Sequence, residues 1–146
     1  MNKELVLSKL GELGFELKEI EDYGYLFRYE DLSMLYIPDE DDDNFLRFAL
    51  PNVFDVTDEN RPFVLEVVND TNMTIKYTKT CVYDDDVWAF YEYRTFNDDN
   101  LEDIIEHGLV LLQSTCYVFR SKVEGDDSYP KKIYDEMNNE EKEDTE

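Results

Sequence analysis

At 146 residues the chain is the size of one domain, and its 42% apolar and 14% aromatic content is too high for a chain that stays unfolded, even at a net charge of −23. That charge excludes whole classes of partner: a phosphate backbone or an anionic membrane calls for a basic footprint, and here 37 acids face 14 bases. It favours a basic or amphipathic protein partner, and it also serves solubility.

In chain order, residues 2–13 read as a first helix, with Val6, Leu10 and Leu13 at helical spacing and Leu5 beside them. Gly14 stops it, because glycine accepts the left-handed conformation just past a helix end. Gly11 weakens its interior or marks a close backbone approach. Residues 15–56 then read as an antiparallel meander. Glu16 to Ile20 is a short strand or a connector. Tyr25 to Glu30 sets Tyr25, Phe27 and Tyr29 on one face and Leu26 and Arg28 on the other. A turn at Asp31-Leu32 leads to a strand from Ser33 to Ile37, which Pro38 ends for want of a backbone donor. Asp39 to Asn44 is a solvated hairpin loop, and Phe45 to Leu50 is the next strand. Several of these strands are apolar on both faces. That predicts helices on one side of the sheet and another occupant, such as a second chain, on the other.

Asn60-Arg61-Pro62 opens a second helix, a capping Asn followed by proline in the first turn. It carries Phe63, Val64, Val67 and Val68 and is expected to end between Asn69 and Asn72. Ile75 to Tyr83 and Val87 to Phe96, rich in β-branched and aromatic residues, form a hairpin about Asp84-Asp85-Asp86. Asp98 or Asn97 caps a last helix of roughly 24 residues, about 36 Å long. Its apolar stripe is Leu101, Ile104, Ile105, Gly108, Leu112, Cys116, Phe119 and Val123, widened by Val110, Leu111, Tyr117 and Val118.

The acidity is shared between a folded part and a tail. Residues 1–123 hold 27 acids and 11 bases, and residues 124–146 hold ten acids and three bases. The domain is therefore expected over 1–123, followed by an acidic, mobile tail in which Ile133, Tyr134 and Met137 offer a short docking helix over 129–138. The run Leu5-Val6-Leu7 is too short for a secretory signal, and no stretch approaches the roughly 20 apolar residues of a membrane span. Cys81 and Cys116 fit neither a metal spacing nor a redox pair. They read as buried thiols of a cytoplasmic protein.

Catalytic chemistry is sparse. The one histidine, His107, has Asp103 a helical turn before it and reads as a helix-rim residue. A thiolate pair of Cys81 with His107 would lack an activating turn or helix start at the cysteine. Asp39, Asp41 and Asp43 have the first ligand spacing of an EF-hand loop, but Asn44 replaces the turn glycine and Leu50 the closing glutamate. No catalytic, cofactor or metal site is expected.

Helix, three strands, helix, two strands and a long helix is the order of an α+β fold that resembles type III secretion chaperones and the YbjN-like bacterial family. Leu10-Gly11-Glu12-Leu13-Gly14-Phe15 resembles the YbjN-like exit from the first helix. Val67-Val68-Asn69, then Asn72, then Ile75-Lys76-Tyr77 resembles its helix-to-strand passage. Tyr83-Asp84-Asp85-Asp86-Val87-Trp88 resembles its acidic hairpin, and Asn100-Leu101-Glu102-Asp103-Ile104-Ile105 its last helix start. The resemblance spans residues 3–123. It implies a small, acidic, non-enzymatic homodimer that binds segments of other proteins. An acidic inhibitor or immunity-type protein blocking a basic partner is the alternative. The dimer contact is expected on the helix face of Val110, Leu111 and Val118 or on the strands around Trp88 and Phe90. Tyr25, Tyr29, Tyr36, Tyr77, Trp88, Tyr91 and Tyr93 are the candidate protein-binding residues, as large side chains of which the tyrosines add a polar tip.

Overall fold

The computed structural model describes residues 3–125. They form, in order, α1 (Lys3–Glu12), β1 (Lys18–Ile20), β2 (Gly24–Tyr29), β3 (Leu32–Tyr36), β4 (Phe45–Asp55), α2 (Arg61–Thr74), β5 (Thr78–Tyr83), β6 (Asp86–Arg94) and α3 (Leu101–Val123). The strands make one antiparallel sheet in the order β1-β2-β3-β4-β6-β5. This is the α+β order the sequence predicts. The tail, and with it the alternative of a short helix over 129–138, lies outside the described residues.

Several boundaries differ, each for a local reason. The short segment after α1 is a true strand, paired through Lys18, Glu19 and Ile20. The first hairpin turns at Glu30-Asp31, not Asp31-Leu32, because Glu30 takes the positive φ of 52° and Leu32 already pairs with Tyr29. Strand β4 runs past Leu50 to Asp55. A register shift between Leu50 and Phe54 absorbs Pro51, which has no donor for the ladder, with Asn52 at φ 60°. Helix α2 continues to Thr74, and β5 starts at Thr78 instead of Ile75, since Tyr77 at φ 68° breaks the extended run. In the acidic hairpin Asp86 belongs to β6, leaving Asp84-Asp85 as the turn.

Two expected caps are also reassigned. Asn60 occupies the first position before α2, but its side chain accepts from the Thr57 amide (2.7 Å) and donates to the Asp55 carbonyl (3.1 Å), so it ties the loop instead of the helix. Helix α3 is capped by Asn100, whose side chain accepts from the Asp103 amide at 3.2 Å. Asp99 instead accepts from the Phe96 amide at 2.6 Å and shapes the approach.

The core lies between one face of the sheet and the helices. Cross-strand register puts Phe27, Met34, Tyr36, Leu46, Phe48, Leu50, Val87, Ala89 and Tyr91 on that face, all buried. Above them α3 lays Ile105, Leu109, Leu112, Cys116 and Phe119, α2 adds Val64 and Val67, and α1 adds Val6 and Leu10. The α3 stripe holds at its centre, while Leu101, Ile104 and Val123 are half-buried at its ends. Gly108 sets the closeness of α3 to the sheet: a Cβ there would lie 2.5 and 2.7 Å from the Tyr91 ring carbons Cδ1 and Cε1. Gly11, by contrast, has nothing within 4 Å of a would-be Cβ, so no close approach requires it.

The free edge of β5 is closed by a side chain. Asn72 of α2 accepts from the Thr80 amide at 2.7 Å and from its hydroxyl at 2.9 Å, and donates to the Thr80 carbonyl at 3.0 Å. It thus occupies two of the outward backbone groups through which another strand would add. We expect Asn72→Ala to cost about 1–3 kcal/mol by leaving these groups without their partner. It should also raise concentration-dependent association, read by light scattering of the folded chain; an unchanged monomer–oligomer balance would show that the edge is closed by other means.

Candidate functional site

All three helices sit on one face of the sheet, so the opposite face is built by strands alone. Pairing fixes its residues. One row crosses all six strands as Lys18, Leu26, Leu35, Ala49, Phe90 and Lys79, each paired with the next. It is aliphatic and aromatic between two lysines. Leu35 and Ala49 at its centre are buried by their neighbours, and Leu26 and Phe90 are half-buried. Trp88, two residues along from Phe90, stacks on it with ring centroids 5.9 Å apart, and Tyr83 packs on Trp88 at 5.2 Å. The Trp88 indole N–H donates to Asp86 at 3.0 Å, so its ring is held in place.

Charge on this face is ordered. Arg47 donates twice to one carboxylate oxygen of Glu92, at 3.1 and 3.0 Å, and Lys79 meets the other oxygen at 2.5 Å. The same cations lie over rings: Arg47 over Phe45 at 4.7 Å and Lys79 over Phe90 at 5.7 Å. Burial alone would raise the Glu92 carboxyl, but the hydrogen bonds from Lys79 and Arg47 outweigh it and hold the group below its usual range. A carboxylate with a lowered folded pKa stabilises the fold above its unfolded value, near 4.3, and that contribution fades as pH falls through the lowered value. Glu92→Gln should therefore flatten the acid side of the stability–pH curve, measured by urea unfolding between about pH 2.5 and pH 5. An unaltered acid limb would mean the cluster adds nothing to folding.

The sequence-predicted tyrosines distribute differently from Trp88. Tyr36 and Tyr91 are core residues on the helix side, 2% and 1% exposed, and burial pushes each phenol up to about 12. They present no surface to a partner. Tyr25, Tyr29 and Tyr93 share that face and are half-buried around the core, with Tyr25 stacked on Tyr36 at 6.2 Å and Tyr93 on Tyr91 at 6.4 Å. Alternation alone could not tell the helix face from the open one, because both are aromatic. Tyr77 is well exposed before β5, and its ring meets His107 at 5.1 Å. Of the seven candidates, only Trp88 lies on the uncovered sheet. Phe90 was expected only as a dimer contact, and Phe45, Leu26 and the bases of this face were not singled out. The signal that could have found them is the unusual pairing of aromatic and basic residues along strands of an acidic chain.

The chemical alternatives are placed as follows. His107 turns to aromatic rings instead of Asp103, with its Nδ1 3.4 Å from the Tyr91 hydroxyl. Cys81 pairs with Trp88 on the open face, so the sheet stands between it and His107. Both cysteines are free thiols, and burial raises both. In the loop before β4, Asp39 accepts from the Asp41 amide and Asp42 from the Asn44 amide, at 2.9 and 3.0 Å. Among the described residues no three metal-ligating side chains gather, and no helix is long and apolar enough to cross a membrane.

No protein-family model matches the chain, and no curated protein matches it. Its structure does match. YbjN from E. coli, a candidate transcription regulator, superposes with a TM-score of 0.62 at 12% identity, covering 82% of this chain and 89% of that one. An uncharacterised protein from Methanothermobacter thermautotrophicus superposes with a TM-score of 0.54 at 14% identity, covering 84% of this chain and 99% of the other. At these identities the likeness speaks for architecture, and it agrees with the element order: the chain has the YbjN-like fold.

Proposed function

We propose that the chain is a non-enzymatic, cytoplasmic, chaperone-like module that holds an amphipathic segment of another protein on its uncovered sheet face. One observation carries this reading: Leu26, Phe90 and Trp88, all half-buried and the last two stacked, lie on a sheet face with no helix over it. A sheet with one face packed and one polar face is ordinary; here the open face mixes charged side chains with an aromatic patch of Tyr83, Trp88 and Phe90. The test uses Trp88→Ala and Phe90→Ala in the full chain. Both should keep the fold, read by urea unfolding, and lose the proteins that co-purify with the native chain. Retention of every such protein would place the binding surface elsewhere.

Self-association, in this reading, uses the helical layer. The outer side of α3 leaves Val110 51% and Tyr117 75% exposed at a spacing of two turns, with Leu111 and Val118 half-buried beside them. Light scattering at high micromolar concentration should give twice the chain mass, and Val110→Glu with Tyr117→Glu should return it to the single-chain value. A single-chain mass for the native protein would remove the dimer.

A further inference from the structure

We infer that the segment held on the uncovered sheet is apolar at its centre and carries carboxylates around that centre, the opposite sign to what the net charge of the chain suggests. This rests on the proposed protein-binding role and names the chemistry of the partner.

The argument is the local charge of the face. Strand pairing places Lys18, Arg28, Arg47, Lys79 and Arg94 on it, against Glu92, Asp55 and Asp86. Five bases face three acids here, whereas residues 1–123 as a whole hold 11 bases and 27 acids. Nearly half of the domain's cations thus gather on the one face that lacks helices. Their positions surround the apolar row. Lys18 and Lys79 end it, Arg28 lies on one side, and Arg47 and Arg94 lie on the other. Asp55 and Asp86 sit together at one margin, and Asp86 is already engaged by the Trp88 indole and the Asn52 amide. Glu92 is one carboxylate shared by two cations, so it leaves the centre positive.

Distance sets the size of the occupant. Six strands at ~4.8 Å spacing separate Lys18 from Lys79 by about 24 Å. An extended segment of about seven residues spans this, and a helix needs about sixteen. Apolar side chains would lie on Leu26, Phe90 and Trp88, which keep exposed surface, with carboxylates reaching the lysines and arginines around them. Interactions at this range fall within one Debye length, about 8 Å in physiological salt, so the near cations count for more than the distant acids. The hairpin loops that bear Asp39 to Asp43 and Asp84-Asp85 lie beyond the strand ends and would repel a long polyanion. That disfavours a nucleic-acid strand and favours a short protein segment.

Trp88, the only tryptophan of the chain, reports on the face from within it. The probes are two peptides of about ten residues with the same Leu/Val/Phe centre, one flanked by glutamates and its twin by lysines, and a short oligothymidylate. The full native chain should bind the glutamate peptide with a shift in Trp88 emission, and the lysine twin at least about tenfold more weakly. Lys18→Glu, at an exposed edge position, should narrow that ratio several-fold without changing the unfolding midpoint. Tighter binding of the lysine twin, or equal binding of both, would overturn the inference and leave the protein-binding role standing. Oligothymidylate binding with a Trp88 shift would overturn both. Silence from every probe would overturn the inference, while the co-purification test on Trp88→Ala still decides the role.

Discussion

Valine at position 108 should lift the long helix from the sheet. Gly108 lies over the Tyr91 ring, where even a single added carbon would come within 2.5 Å of Cδ1. Tyr91 is itself buried among β4, β6 and α3, so neither partner has room to give. Gly108→Val should cost about 3 kcal/mol, the upper part of the range for overpacked cores. Valine's few tenths of helix propensity over glycine do not offset this. Gly11→Ala is the control. Its Cβ meets nothing within 4 Å, so it should stabilise by about 0.5–1 kcal/mol through helix propensity alone. A Tyr91→Ala background should make Gly108→Val cheaper than the two single losses predict, because the ring that clashes has gone. Equal effects at Gly108 and Gly11 would mean that the close approach is not what sets the helix position.

Element type was legible wherever periodicity was strong. The stripe from Ile105 to Phe119 is apolar at helical spacing, and the alternation of Tyr25, Phe27 and Tyr29 survives as one face of β2. What alternation could not do was assign a face to a layer. Phe48 and Phe90 sit on neighbouring strands with similar surroundings in sequence, yet Phe48 pairs with Tyr91 under α3 and Phe90 pairs with Ala49 on the open side. The deciding information is register, which depends on pairing across distant segments. The same limit hid the gathering of cations on the open face. The cations of the open face are scattered from Lys18 to Arg94, and only the sheet order β1-β2-β3-β4-β6-β5 makes them neighbours. Caps failed for a different reason. Asn60, the expected cap of α2, accepts from the Thr57 amide instead, the competition that makes Asn a turn former in general, and the cap of α3 falls not on Asn97 or Asp98 but on Asn100.

Net charge is a sum over the whole chain and does not describe any one face, for a related physical cause. A sum over residues weights every charge equally, whereas a docked segment senses mainly the charges within a Debye length. Nine of the 27 acids of residues 1–123 lie in the loops at Asp39 to Asp43 and Asp84-Asp85 and in the first turn of α3. Those are places where carboxylates are solvated, close a turn or complement a helix dipole. The strands of the open face are left with the cations, which lie over rings and around Glu92. A negative far field and a positive near field can coexist on one small domain, and each would act on a different stage of binding.

Removing the same ring from the two sides of the sheet should give opposite outcomes. Phe48 is fully buried, with its ring 6.0 Å from Phe27 and 5.7 Å from Tyr36, and no part of it reaches the surface. Phe48→Ala should cost about 3–5 kcal/mol, the loss of transfer energy plus a cavity that its close-packed neighbours fill only in part. Any weakening of partner binding should follow from the lost fold and vanish at low temperature or in a stabilising osmolyte. Phe90 is half-buried, held by Trp88 stacking at 5.9 Å and by the Lys79 ammonium. Phe90→Ala should cost about 1 kcal/mol or less in urea unfolding, since solvent already reaches the site and no closed cavity forms. Its effect on a held segment should be the larger one, a loss of binding by a factor of ten or more that no osmolyte restores. Equal destabilisation by both substitutions would mean that the Phe90 face is covered in the folded protein, as a second layer of the core. The open sheet would then be a structural seam, not a place where another chain is held.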